Sequence, residues 1–297
     1  MKFLTVLLAT LLVAPVAGQA QSRLDKIRDT QQITLGVRES SIPFSYLDDT
    51  QKPVGYSIDI CYGVVEALKN KLGLEQLKVK EVSVTSSTRI PLVANGTVDI
   101  SCGSATNNEQ RQQQVSFAPT TFVTSTRFAA LKKSNVHDLS DFKGATVIST
   151  AGTSNLRWLT EVNAQEKLGM RIMNAKDHSE AFLTVNSGRA VAFFMDDILL
   201  AGLVANSRNP DDWMISEKAY TVEPYGMILP KGDTAFKEAV DEAVIAMMKD
   251  GRIEQLYNKW FTQPIPPRNI NLNWPMSAEL KRVLANPTDS PDPKSYQ

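Results

Sequence analysis

Residues 33–37 are Ile-Thr-Leu-Gly-Val, an alternation of apolar with small or polar residues that predicts a β-strand. In residues 58–72, apolar side chains recur at every fourth position from 60 to 72, which predicts a helix, and Gly73 is placed to end it. Residues 77–82 alternate again and predict a second strand. A strand, a helix and a strand in succession indicate a βαβ unit, so we expect an α/β fold with a largely parallel sheet.

The same alternation continues and then restarts after about residue 140. The first half continues with a short helix at 90–94 and a strand that begins at 98. The second half predicts strands at 145–149 and 190–195 and helices at 155–168 and 181–186. Because a chain of 297 residues also exceeds the usual size of a single core, the sequence predicts two lobes.

The last part of the chain predicts a strand at 225–229 and two helices, at 234–249 and 252–261. From Pro264 onward the sequence is rich in Pro and Asn. We expect this tail to wrap over a surface and its last ten residues to be disordered.

The N-terminus has the features of a secretory signal peptide, predicted at residues 1–20. Lys2 supplies a positive charge, residues 3–16 are almost all apolar, and Gly18-Gln19-Ala20 is a small-x-small cleavage signal. A membrane anchor is the alternative, but the run is shorter than the roughly 20 residues that a spanning helix needs. We therefore expect a soluble mature protein that starts near Gln21.

Charge and cysteine content narrow the possibilities further. Basic and acidic residues are equal in number, 32 each, which argues against a nucleic-acid-binding surface. Cys61 and Cys102 are the two cysteines, and an even pair in an exported chain suggests one disulfide. The alternative is two buried free thiols.

Common catalytic motifs are absent from the sequence. It has no Gly-x-Ser-x-Gly nucleophile elbow and no glycine-rich phosphate loop, and His137 and His178 lack the spacing of metal ligands. We therefore expect no catalytic residue, no metal and no cofactor.

Three arginines occur in turns that follow predicted strands: Arg38, Arg89 and Arg111. In open α/β sheets, ligands bind beyond the carboxyl ends of the strands. Because the planar guanidinium donates two parallel hydrogen bonds to a carboxylate, the three together predict a cationic pocket. For an arginine taken alone, a solvated surface position is the commoner one; the pocket is predicted from the placement of the three together.

Polar residues near the same strand ends extend this prediction. The hydroxyls of Ser104 and Thr106 could bind a carboxylate, and residues 152–154 begin a helix whose free N–H groups favour anions. Simple helix capping is an alternative role for Thr153 and Ser154. Asp196 or Asp197 could pair with an ammonium group, and the other could cap the next helix.

These motifs resemble the periplasmic solute-binding proteins of ABC transporters for polar amino acids, and within them the glutamate/aspartate-binding branch. Gly55–Asp59 matches the Gly-Tyr-x-x-Asp motif of the wider family, while Arg38–Ser41 and Ala175–His178 are similar to the acidic branch. The matching segments run through most of the chain in family order: 36–46, 54–59, 89–92, 95–99, 102–104, 106–108, 175–178, 187–193 and 259–261.

The resemblance implies a two-lobe periplasmic binding protein fold, in which each lobe is a mostly parallel sheet flanked by helices and two hinge strands join the lobes. It implies that lobe 1 is discontinuous, at 22–123 and 224–297, and that lobe 2 is 124–223. The family commonly has Thr-Thr where this chain has Ala105-Thr106, so one hydroxyl is missing here.

The resemblance also implies a role for each predicted site residue. Ser104, Thr106 and Arg111 would hold the α-carboxylate, and Asp196 the α-ammonium group. The side-chain carboxylate would be held by Arg38, Ser86, Arg89 and His178. Thr153 and Ser154 would close over the ligand from lobe 2.

The expected function is therefore binding of L-glutamate or L-aspartate in the periplasm and delivery to a membrane ABC transporter permease, by a monomer that binds no nucleic acid. Two alternatives share the fold. One is a lyase acting on a small carboxylic acid, for which His178 and Glu39 are the candidate acid–base residues. The other is a ligand sensor for a membrane receptor, which would differ only in its partner.

Overall fold

The computed structural model describes residues 22–297, so the predicted signal peptide at 1–20 lies outside the described residues. The helices of the described part are α1 (Arg23–Thr30), α2 (Tyr56–Lys71), α3 (Arg89–Ala94), α4 (Glu109–Gln112), α5 (Ser154–Gln165), α6 (His178–Asn186), α7 (Asp197–Ala205), α8 (Thr234–Lys249), α9 (Arg252–Tyr257) and α10 (Ala278–Ala285). Across these residues, every helix is too short or too polar to cross a membrane.

The strands of the described part form two large sheets and two small ones. They are β1 (Gln32–Val37), β2 (Ser40–Ser41), β3 (Ser45–Leu47), β4 (Pro53–Val54), β5 (Lys78–Ser83), β6 (Ile100–Cys102), β7 (Val115–Phe117), β8 (Phe122–Thr124), β9 (Thr126–Leu131), β10 (Thr146–Thr150), β11 (Arg171–Ala175), β12 (Ala192–Asp196), β13 (Trp213–Ile215), β14 (Glu223–Tyr225) and β15 (Ile228–Pro230).

The two large sheets have five strands each and the same pattern of pairing. The strand order is β5-β1-β6-β15-β7 in the first and β11-β10-β12-β9-β13 in the second. We call the part of the molecule built on the first sheet lobe 1 and the part built on the second lobe 2. The chain therefore has the two-lobe periplasmic binding protein fold that the sequence predicted.

Each sheet is mixed rather than mostly parallel. In lobe 1, β1 is parallel to β5 and β6, but β15 is antiparallel to β6 and β7. In lobe 2, β10 is parallel to β11 and β12, whereas β9 is antiparallel to β12 and β13. Pairing is parallel within the βαβ units, as predicted. It is antiparallel for β9 and β15, because the chain enters each of these strands from the other lobe and not through a crossover helix.

A two-stranded ribbon lies between the sheets. Strand β8 pairs antiparallel with β14, so that Glu223 faces Thr124 and Tyr225 faces Phe122. In chain order, β8 follows the first-sheet strand β7 and precedes the second-sheet strand β9, and β14 makes the return passage before β15. The chain thus passes between the lobes twice along this ribbon.

Aromatic side chains fill the core around the ribbon. Phe44, Phe122 and Phe261 are each at most 2% exposed. The ring of Phe122 stacks on Phe261 at 4.9 Å, and Phe44 meets Phe122 edge-on at the same distance. Such pairs contribute about 0.5–1.5 kcal/mol beyond the burial of their area. A second core cluster, within lobe 2, contains Phe128 and Phe194.

Cys61, on α2, forms a disulfide with Cys102, the last residue of β6. The predicted bridge is confirmed, and it joins the helix to the sheet beneath it. Cys102 lies two residues before Ser104, so the bridge ties the turn that follows β6 to the lobe 1 core.

The C-terminal tail differs from its prediction. Helix α10 lies within it, and its last ten residues are ordered against lobe 1 rather than disordered. Tyr296 is 2% exposed, and its hydroxyl lies 2.9 Å from Thr120 Oγ1. The main-chain N–H of Thr120 also donates to the Thr288 carbonyl over 2.8 Å. These contacts join positions more than 160 residues apart, which local sequence patterns cannot reveal.

Candidate ligand-binding site

The three predicted arginines all lie at carboxyl ends of lobe 1 strands. Arg38 directly follows β1, Arg89 begins α3 after β5, and Arg111 lies on α4 after β6. Their exposed fractions are only 1%, 2% and 4%. The alternative of a solvated surface position is therefore wrong for all three. Burial of three cations in one lobe requires compensating partners.

Backbone carbonyls fix two of these guanidinium groups. Arg89 Nη1 donates to the Ser104 carbonyl over 2.7 Å. Arg111 Nη1 donates to the Thr106 carbonyl over 2.7 Å, and its Nη2 to the Gly152 carbonyl over 3.0 Å. Among the described residues, Arg38 Nη1 and Arg89 Nε are buried donors without a hydrogen-bond partner.

The arginines perturb one another. Burial lowers the pKa of Arg38 to about 10. Burial, and then the charges of Arg111 and Arg38, hold the pKa of Arg89 well below its usual value. The pKa of Arg111 is lowered by burial, although the nearby Glu223 opposes this shift. The site is therefore a cationic cluster that an anion would stabilise.

His178 lies at the start of α6 in lobe 2, where it is 1% exposed. Its Nδ1 is 2.9 Å from Thr150 Oγ1, while its Nε2 has no partner in the described part of the chain. Burial, followed by the charges of Arg38 and Arg89, holds its pKa well below the usual value. The imidazole is thus neutral, and it can offer one N–H to a ligand without adding another charge.

Buried hydroxyls accompany these groups. The predicted residues Ser86 and Ser104 are 2% and 5% exposed, and neither Oγ has a partner within residues 22–297. Ser41, which the sequence analysis did not select, is fully buried and in the same state. It pairs in the β2–β3 hairpin with Ser45, whose Oγ accepts from the Arg38 main-chain N–H over 2.8 Å.

An acidic cluster faces the cations from lobe 2 and the ribbon. Asp196 is 3% exposed and accepts from Asn155 Nδ2 over 2.7 Å. The Tyr225 hydroxyl donates to its other oxygen. Burial, and then the charge of Glu223, raise the pKa of Asp196 to about 7. A cation placed beside this carboxyl group would stabilise its charged form.

Asp197, the alternative to Asp196, binds other groups of the protein. Thr124 Oγ1 and Ser125 Oγ donate to its carboxylate, and Arg127 Nε is 3.3 Å from it. Its Oδ1 also accepts from the Ile198 main-chain N–H. Asp197 therefore secures the start of α7 beside the ribbon, and Asp196 is the acid left for a ligand.

Thr153 and Ser154 carry the second-lobe side of the site. Thr153 is the N-cap of α5, where its hydroxyl donates to the Thr150 carbonyl over 2.7 Å and accepts from Leu156 N–H over 3.1 Å. Ser154 Oγ lies 3.1 Å from Thr106 Oγ1 and donates to Glu223 over 2.7 Å. The capping alternative thus describes Thr153, while Ser154 links lobe 1, lobe 2 and the ribbon.

Gly152 lets the two lobes approach each other at this point. Its φ is +79°, and a Cβ built there would lie 2.6 Å from the Ser87 Cα of lobe 1. A larger residue would therefore meet both backbone strain and a collision.

Sequence reasoning missed Glu223, Tyr225 and Asn155. The first two lie on β14, where the sequence predicted only a boundary between the lobes and a strand that begins at 225, and Asn155 is in the first turn of α5. An acid directly before Pro224, at a predicted break between lobes, was the available signal for Glu223.

The arrangement suits a small zwitterion with additional negative charge. Cationic and neutral donors converge from lobe 1 and α6, while Asp196 and Glu223 supply acceptors on the opposite side. Among residues 22–297, His, Cys, Asp and Glu side chains form no group of three or more that could hold a metal ion.

The chain is similar to known proteins over most of its length. Residues 33–263 match the family model of bacterial extracellular solute-binding proteins, family 3. The L-glutamate/L-aspartate-binding protein of Pseudomonas aeruginosa is 52% identical over 287 residues, which are 96% of this chain and 95% of that protein. The glutamate/aspartate import solute-binding protein of Escherichia coli is 46% identical over 276 residues, covering 93% and 90%.

A solved structure supports the fold independently. An ancestral arginine-binding protein bound to arginine superposes with a TM-score of 0.69 at 27% identity, over 78% of this chain and 98% of that one.

Proposed function

The chain belongs to the bacterial extracellular solute-binding proteins of family 3, and we propose that it binds L-glutamate or L-aspartate between its lobes and delivers it to an ABC transporter permease. It is a binding protein and not an enzyme, and the relatives described above are also named as binding proteins. The observation that carries the proposal is the buried cluster of Arg38, Arg89 and Arg111, whose unpartnered donors call for an anionic ligand.

Charge matching selects an acidic amino acid. Glutamate and aspartate carry two carboxylates and one ammonium group. Two arginines and one acid balance these charges, and the third arginine offsets the negative charge that Glu223 adds. Hydrogen bonds to charged groups contribute roughly 1.5–3 kcal/mol each. A neutral glutamine would leave buried guanidinium donors poorly paired, which would lower its affinity.

In the proposed complex, the α-carboxylate lies against Arg111, Ser104 and Thr106. The α-ammonium group lies beside Asp196, whose raised pKa marks it as a carboxylate in need of a cation. The side-chain carboxylate is held by Arg38, Ser86, Arg89 and His178. Thr153 orients the start of α5, and Ser154 closes the site from lobe 2.

The remaining elements of the proposal concern the whole protein. Lobe 1 comprises 22–123 and 224–297, and lobe 2 comprises 124–223, with boundaries at the β8–β14 ribbon. The protein acts as a monomer in the periplasm, to which the signal peptide at 1–20 directs it, and binds no nucleic acid. Lobe closure presents the loaded form to the permease.

The two alternatives gain less support. Glu39, one of the two acid–base candidates for a lyase, is exposed and accepts a hydrogen bond from Ser83. His178, the other, is poorly suited to accept a proton, because burial and then the charges of Arg38 and Arg89 hold its pKa well below the usual value. A sensor role would use the same binding residues and a different membrane partner.

Calorimetry with protein stripped of ligand tests the proposal. Glutamate or aspartate is expected to bind with a Kd in the micromolar range or below, about −8 kcal/mol or stronger. Glutamine is expected to bind at least tenfold more weakly. Absence of binding heat with both acids would refute the proposed ligand.

A further inference from the structure

The lobes also meet at a second place, away from the arginine cluster. Helix α7 of lobe 2 lies against the β2–β3 hairpin of lobe 1, with Gly202 facing Ile42. A Cβ built on Gly202 would lie 2.8 Å from the Ile42 carbonyl oxygen and 3.1 Å from its Cγ2. Real Cβ atoms do not approach a backbone oxygen this closely, so any larger residue would push α7 and the hairpin apart.

The backbone conformation of Gly202 does not require a glycine. Gly202 lies inside α7, and its backbone is not in the left-handed region where glycine is favoured. Alanine is the better residue inside a helix, so the glycine weakens α7. The close neighbours of its virtual Cβ all belong to Ile42 of the other lobe.

A second contact joins the same helix to lobe 1. Arg268 Nη1 donates to the Asn206 carbonyl over 2.7 Å and to the Ser207 carbonyl over 3.3 Å, at the C-terminus of α7. The segment that carries Arg268 is fixed to lobe 1, because the Tyr46 hydroxyl donates to the Pro266 carbonyl over 2.7 Å. A cation is favourable at this end of a helix, where carbonyl groups lack partners.

We propose that Gly202 and Arg268 are closure residues, which set the affinity for the ligand by stabilising the contact between α7 and lobe 1 without touching the ligand. This inference rests on the proposed function, because closure matters for affinity only when a ligand is enclosed. The apparent Kd of a closing protein is the intrinsic Kd divided by the fraction of molecules able to close. Weakening the contact therefore raises the apparent Kd while the arginine cluster stays intact.

Gly202→Ala is the first test. The added methyl group should raise the Kd for glutamate and aspartate by the same factor, roughly tenfold or more. Thermal melting of the ligand-free variant should be unchanged or higher, since alanine strengthens the helix. Solution scattering at a ligand concentration that just saturates wild type should show a larger radius of gyration for the variant, because a smaller fraction of its molecules is closed.

Arg268→Gln is the second test, and Arg208→Gln is its matched control. Both remove a cation near the C-terminus of α7, but Arg208 is an exposed residue of lobe 2 itself. Arg268→Gln should raise the Kd roughly two- to fivefold, Arg268→Lys should restore part of the loss, and Arg208→Gln should leave the Kd unchanged.

The outcomes separate this inference from the proposed function. If wild-type protein binds neither acid, the proposed function fails; the variant-to-wild-type ratio is then measured with whichever standard amino acid raises the wild-type melting temperature. If Gly202→Ala keeps a Kd within twofold of wild type, the closure role is refuted. It is equally refuted if the ligand-free melting temperature of Gly202→Ala falls together with affinity, because the glycine would then serve packing within lobe 2.

Discussion

Arg89 donates through Nη1 to the Ser104 carbonyl over 2.7 Å, while its Nε stays buried without a partner among the described residues. The backbone of the turn after β6 thus orients a guanidinium group that keeps a buried donor free for a ligand. We expect Arg89→Met to weaken glutamate binding by about 2–3 kcal/mol, roughly 30- to 150-fold, and glutamine binding far less. Calorimetry with both amino acids checks this difference.

The same substitution should leave the ligand-free protein as stable or more stable. It removes a buried cation that lies among like charges and keeps a side chain of similar length. Arg171→Met, at an exposed position on β11, is the control that should change neither property. Equal losses for glutamate and glutamine would show that Arg89 does not hold the side-chain carboxylate.

Asp196 should link binding to pH. A ligand ammonium group beside this carboxyl would lower its pKa from about 7, so binding between pH 6 and 7 should release a proton. Affinity should therefore fall as the pH is lowered below 7. Calorimetry in buffers of different ionisation enthalpy measures the proton release, which should disappear in Asp196→Asn along with most of the affinity.

The ligand-free protein should show the opposite trend in stability. The folded pKa of Asp196 is raised from 3.8 to about 7, so the folded state holds a proton that the unfolded chain has released. The contribution of this group to the free energy of unfolding therefore decreases as the pH rises through that window, and it is constant above it. Urea titrations of wild type and Asp196→Asn from pH 4 to 8 should differ by this slope; parallel curves would contradict the raised pKa.

The Cys61–Cys102 disulfide should contribute substantially to stability. It closes a loop with a sequence separation of 41 residues. In the chain-entropy model, its removal by Cys61→Ala with Cys102→Ala lowers the free energy of unfolding by about 4 kcal/mol. Urea denaturation of the oxidised wild type and the double variant measures the difference. A reducing agent should destabilise the wild type and leave the double variant unaffected.

The C-terminal tail should stabilise lobe 1 through Tyr296. Its ring is buried and its hydroxyl donates to the Ser290 carbonyl over 2.7 Å. Tyr296→Ala should cost about 3–5 kcal/mol, as for other large aromatic truncations in a core. Thermal denaturation tests this, with the exposed Lys294→Ala as control. A melting temperature equal to that of the control would mean that the tail adds nothing to lobe 1.

Local patterns predicted most of the helices and strands. Helix α8 has the predicted bounds of 234–249, because its apolar face, its Asp233 cap and its length are all encoded within the segment. The predicted strand at 225–229 is instead two strands, separated at Gly226. The chain there leaves the ribbon and joins the first sheet, and a Cβ on Gly226 would lie 2.8 Å from the Ala118 carbonyl oxygen. That constraint comes from a distant segment.

The site, too, was predictable only where local sequence positions its residues. Arginines directly after strands could be placed, because carboxyl ends of neighbouring strands meet at one edge of a sheet. Glu223 and Tyr225 could not, since they reach Asp196 only through the pairing of β14 with β8. The local sequence around β14 does not indicate which strand it pairs with.

The position of β15 has a consequence for biogenesis. This strand lies between β6 and β7, although more than 100 residues separate it from either in the chain. During synthesis, the first sheet therefore lacks the strand between β6 and β7 until residue 230 has emerged, whereas all strands of the second sheet lie within residues 126–215. The strands of the second sheet are therefore complete before those of the first, in which the edges of β6 and β7 stay unpaired for longer. The nascent N-terminal part is thus the one that most needs protection from aggregation.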